Sequence, residues 1–141
     1  MAYCTLDDIK RQIYEDELIR LTDELGIGEI ASDKVDTAIE TAGVEIDAYL
    51  GEQYTLPLAS TLSIVTKLAV DLAIRNLYLL NAGGVPDARE SQAKNAVRML
   101  EKIAKGDLTL GLGDPQAGSQ GHVVHVTSSP RVFSRDKLKG F

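Results

Sequence analysis

Residues 62–80 read LSIVTKLAVDLAIRNLYLL. Ile64, Val65, Leu68, Ala69, Leu72 and Ala73 recur at the three- and four-residue spacing of one helical face. Val70, Ile74, Leu77, Tyr78, Leu79 and Leu80 then cover most of the remaining circumference. Only Lys67, Asp71 and Arg75 form a polar line, at i, i+4 and i+8, where opposite charges can pair. The three charges rule out a membrane span, since each costs about 2.5–3.5 kcal/mol at the bilayer centre. A helix apolar nearly all round must be buried nearly all round. Two arrangements meet that demand. Either the segment is the central core helix of one copy, or Val70, Ile74, Leu77 and Tyr78 face a neighbouring subunit. The stretch therefore fixes the fold class as an all-α bundle built around residues 61–81.

Outward from it, the same periodicity gives the other helices. On the N-terminal side, Val35, Ala38, Ile39, Ala42, Ile46 and Leu50 share a face, with Tyr49 beside them and Gly51 as a stop. Ser32 or Asp33 is the expected cap, and Gly43 within the helix is expected to serve close helix packing. The sequence YTLPLAS is extended, because Pro57 pushes Leu56 out of the helical region. Nearer the start, Thr5 and Asp8 form a capping box ahead of Leu6, Ile9 and Ile13. Leu18, Leu21 and Leu25 continue the stripe on a second short helix, broken at GIGE from Gly26. On the C-terminal side, Asp87 and Glu90 suggest another capping box. That helix faces in with Ala93, Ala96, Val97, Leu100, Ile103 and Ala104, and ends at Gly106. Four to five helices over residues 1–106 are the expected domain.

After Gly106 the character changes. Residues 107–121, DLTLGLGDPQAGSQG, are rich in glycine and have no helical period, so residues 107–141 read as an arm whose leucines 108, 110 and 112 can touch the body. HVVHVTSSPRVF, residues 122–133, offers β-branched residues around a Ser-Ser-Pro turn, the pattern of a short hairpin or added strand. The ending, SSPRVFSRDKLKGF, joins Val132, Phe133, Leu138 and Phe141 to Arg131, Arg135, Lys137 and Lys139. Residues 130–141 carry a net +3, so a chain at −6 leaves −9 for the rest. An acidic body with a basic, apolar tip suits contact with an acidic protein surface, including another copy. A nucleic-acid-binding module using that tip is the alternative, with stacking on phenylalanine and salt-dependent charge contacts. The acidic body and Asp136 argue against it.

No catalytic constellation stands out. His122 and His125 sit in the arm with no cysteine nearby, a poor metal pattern and no defensible triad. DELGIGE lacks the alternating ligands and closing glutamate of a calcium loop and reads as a turn. The single Cys4 excludes internal disulfides and is expected to pack as a small apolar group. No cofactor is expected.

Taken together, YCTLDDIKRQI at 3–13, IDAYLGEQYTLPL at 46–58, LAVDLAIRNLY at 68–78 and the terminal SSPRVFSRDKLKGF resemble the Mu-like prophage structural protein family, grouped with the head–tail connector proteins of tailed bacteriophages. The resemblance spans essentially the whole chain. One departure is Tyr14, where proline is expected in relatives. The resemblance implies a non-catalytic virion protein at the head–tail junction, made in the host cytoplasm. Such a protein forms a homo-oligomeric ring beneath the portal, presents a surface to the tail or a stopper protein, and meets DNA only as cargo through the channel, with no membrane. Within that frame Arg131, Val132, Phe133, Arg135, Leu138 and Phe141 are the expected partner-binding residues, with strand addition by residues 122–134 one possible mode.

Overall fold

The computed structural model describes residues 1–112. They form five helices: α1 (Leu6–Lys10), α2 (Glu15–Thr22), α3 (Ser32–Leu50), α4 (Ser63–Leu80) and α5 (Asp87–Ala104). The fold is all-α. Helix α4 packs most extensively against α3 and α5, and α1 and α2 also lie on it. The apolar surface of α4 as far as Tyr78 is thus covered by four other helices of the same chain. Val65, Leu68, Leu72, Ala73, Ile74 and Leu77 are all at most 1 % exposed. Burying such side chains supplies about 1.5–3 kcal/mol each relative to exposure, and this dominates the folding free energy of a small domain.

The polar line on α4 resolves into two ion pairs. Lys67 donates to Asp71 at 2.7 Å, one turn on, while Arg75 reaches across to Glu90 of α5 at 3.2 Å. Asp71 is one of two buried polar residues among those described, and its lysine partner stands at the rim with most of its side chain in water.

Several helix ends differ in detail from the sequence reading. The Thr5–Asp8 capping box is present, with the Asp8 amide donating to the Thr5 hydroxyl and the Thr5 amide donating to the Asp8 carboxylate. Neither Ser32 nor Asp33 caps α3; Ala31 occupies the cap position without a side-chain bond. The Ala31 amide instead donates to the hydroxyl of Thr22 at 3.1 Å, so a tertiary bond fixes the entry into α3. Pro86 precedes α5, which places Asp87 in the first turn, and the Glu90 carboxylate faces Arg75 and Lys94 rather than the helix start. Helix α2 stops at Thr22, short of Leu25, which is left 84 % exposed.

Gly43 packs against chain rather than another helix. A Cβ there would lie 1.9 Å from the carbonyl oxygen of Met1, so only glycine admits the N-terminal residues onto α3. The segment is tied down by Asp47, which accepts from the Met1 ammonium at 2.9 Å and from the Tyr3 hydroxyl. Tyr3 is 2 % exposed, and its hydroxyl is pushed above the usual tyrosine range by burial, then by the Asp47 carboxylate. Tyr14, at the cap of α2, has φ −66°, the value that a proline ring imposes.

Residues 107–112 follow the body. The Leu110 amide donates to the Tyr54 hydroxyl at 2.9 Å, and Leu110 and Leu112 pack at the edge of the core.

Candidate functional site

Every surface of interest follows from the antiparallel run of α3 and α4. The Asn76 amide donates to the Ala38 carbonyl, which sets the C-terminal half of α4 beside the N-terminal half of α3. One end of the bundle therefore carries the α2–α3 loop and the end of α4, drawn together where Asn81 donates to the Arg20 carbonyl. The other end carries residues 51–62 and the last turn of α5, where Gln53 donates to the Ala104 carbonyl. The chain leaves the bundle at this second end, beside Tyr54.

The expectation that Val70, Ile74, Leu77 and Tyr78 face a neighbouring subunit is corrected here. They are 4 %, 1 %, 1 % and 6 % exposed in a single copy. Helices α1, α2, α3 and α5 supply the cover that the sequence left unassigned between core and partner. Tyr78 ends in a hydrogen bond to Glu17 of α2; burial, then that carboxylate, raises its hydroxyl above the usual range.

The apolar groups that do reach water lie elsewhere, and the sequence pattern does not single them out. Leu25 and Ile27 are 84 % and 66 % exposed in the α2–α3 loop. Leu79 and Leu80, at the end of α4, are more than half exposed at the same end of the bundle. The loop is held by its own chemistry. The Asp23 carboxylate accepts from the Gly28 amide at 2.7 Å and the Ile27 amide at 3.2 Å, which holds its pKa below the usual carboxylate range. Gly26 and Gly28, at φ 70° and 77°, take backbone conformations that side chains disfavour. The DELGIGE segment is thus a turn, as its composition suggests. A hollow of about 190 Å³ lies under it, bordered by Leu25, Ile27, Ile30 and Lys34. That is smaller than the roughly 300–1,000 Å³ of small-molecule sites and suits one or two side chains. A second groove, about 400 Å³, lies at the same end between Arg20, Tyr78, Asn81 and Gly84.

Chemistry beyond contact is sparse. Among the described residues no three His, Cys, Asp or Glu side chains gather as metal ligands. No described helix is long and apolar enough to cross a membrane. Cys4 is buried, with its thiol pushed up to about 11 by burial and then by Asp8, the opposite of an activated nucleophile. The predicted partner-binding residues Arg131, Val132, Phe133, Arg135, Leu138 and Phe141 lie outside the described residues, as do His122, His125 and the expected hairpin.

These features define a class: a small helical bundle that closes its own core and leaves aliphatic side chains exposed at one end. Comparison with known proteins gives the class a name. The family described as "Bacteriophage Mu, Gp36" matches residues 3–127. The chain is also similar to the "Mu-like prophage FluMu protein gp36" of Haemophilus influenzae, 31 % identical over 109 residues, which cover 77 % of this chain and 75 % of that protein. The chain belongs to the bacteriophage Mu Gp36 family, and it is a phage protein.

Proposed function

We propose that the protein is a virion structural component that joins head to tail, assembling into a ring between portal and tail. Membership in the Gp36 family carries this reading. The described structure supports it on three counts. Each copy closes its own core, so copies can meet without unfolding. Leu25, Ile27, Leu79 and Leu80 are exposed at one end while Val44 and Leu108 stand apart from them, which suits a heterologous contact in which one patch meets a different patch of the neighbour. The body outside residues 130–141 carries a net −9, which lets DNA pass a channel wall without adhering. Residues 128–141 supply the second contact, with Phe133 and Phe141 as apolar anchors and Arg131 and Arg135 as directional charge partners.

The test is genetic and microscopic. A phage lacking this protein is expected to accumulate DNA-filled heads and separate, normal-length tails, and added purified protein is expected to restore joined particles. Complete infectious particles formed in its absence overturn the reading.

A further inference from the structure

We infer that the α2–α3 loop of one copy is the receptor for the C-terminal segment, residues 128–141, of a second copy. The inference rests on the self-assembly reading and names the two surfaces that meet. Leu25 and Ile27 are held outward on a turn braced by Asp23, so their exposure is built into the backbone. Around them, residues 23–36 carry Asp23, Glu24, Glu29, Asp33 and Asp36 against Lys34 alone, a balance of −4. Residues 128–141 are the complement in both respects: four basic side chains against Asp136, a balance of +3, interleaved with Val132, Phe133, Leu138 and Phe141. Residues 92–105 of α5 match that balance, but their basic side chains are spread along a helix of the body, whereas residues 128–141 join theirs to two phenylalanines. The hollow beneath Leu25 and Ile27 takes a side chain, and the carboxylates beside it take guanidinium and ammonium groups.

The reach of the segment admits a second copy, and the self-assembly reading selects it. The described chain ends at residue 112 beside Tyr54, at the end of the bundle opposite the loop. The two ends are about 28 Å apart, the length of a nineteen-residue helix. Residues 113–127 span at most about 50 Å, enough to cross to a neighbour. The loop and the segment are different parts of the chain, so a contact between copies is heterologous, the type that propagates into rings. Occupancy by a copy's own segment satisfies the loop but leaves nothing to join copies.

Carbodiimide cross-linking of the purified full-length protein tests this, because it couples carboxylates to amines only within ion-pair distance. Equal amounts of ordinary and nitrogen-15-labelled protein are mixed, cross-linked, digested and analysed by mass spectrometry. Lys137 or Lys139 is expected to be joined to Glu24, Glu29 or Asp33 in mixed-isotope pairs. In the double variant Leu25→Ser/Ile27→Ser, whose positions are exposed and whose helical circular dichroism is expected to match the parent, these pairs should fall about tenfold, as for loss of interface anchors. Pairs found in single isotopes with no mixed pairs show the segment folded onto its own copy and overturn the inference, as do cross-links to carboxylates outside residues 23–36 or insensitivity to the double variant. None of these outcomes touches the particle-joining test, so the docking site and the connector role fail separately.

Discussion

Asp8 shows how one side chain ties local structure to pH. Its carboxylate accepts from the hydroxyl and the amide of Thr5 and lies 3.8 Å from Arg11. Those bonds, the hydroxyl first, lower its pKa below that of a free aspartate. A carboxylate held lower in the folded than in the unfolded state contributes stability that is present above about pH 4 and lost as pH falls further. Asp8→Asn is therefore expected to be less stable than the parent at pH 7 by roughly 0.5–1 kcal/mol, the range for a helix cap. Denaturant curves at pH 7 and pH 3 check this: the difference between the two proteins should close at the lower pH. Thr5→Ala, which removes the cap oxygen itself, is expected to cost about 1 kcal/mol.

At the scale of the element, α4 decides between a core and an interface, and truncation separates the two. Leu77→Ala in a helix that served a neighbour would leave one copy as stable as before. In the observed core it opens a cavity and is expected to cost about 2–5 kcal/mol, measured by chemical denaturation of the dilute protein. Helix α4 was legible in the sequence because eighteen residues with three charges admit no other regular structure. What covered it was not legible, since periodicity marks which face is apolar but not which partner meets it. The caps of α3 and α5 were misplaced for a related reason. Ser32, Asp33 and Asp87 carry the local chemistry of a cap, but Thr22 and Arg75 act from elsewhere in the fold and shift the boundary. Leu25 fell into the stripe of α2 by spacing alone. The two glycines that follow it were the signal that the helix had ended and that Leu25 and Ile27 would stand in water.

At the scale of the molecule, the closed core separates folding from assembly. Removing residues 128–141 is expected to leave helical circular dichroism and the unfolding midpoint unchanged within experimental error, while abolishing joined particles. Joining that survives the truncation removes these residues from the docking role. A copy whose core needs no partner also melts at a temperature independent of its concentration in the dilute range, unlike an obligate oligomer. Calorimetry across a hundredfold dilution checks this; a midpoint that climbs with concentration would show that a partner contributes to the fold. The antiparallel run of α3 and α4 has one more consequence. It gives each copy a front, bearing the α2–α3 loop, and a back, where the chain departs. If copies join front to back as proposed, every contact of the ring runs in one rotational sense, whatever the copy number. An antibody fragment raised against residues 23–31 would therefore compete with the incoming segment and arrest growth of the ring while leaving single copies folded.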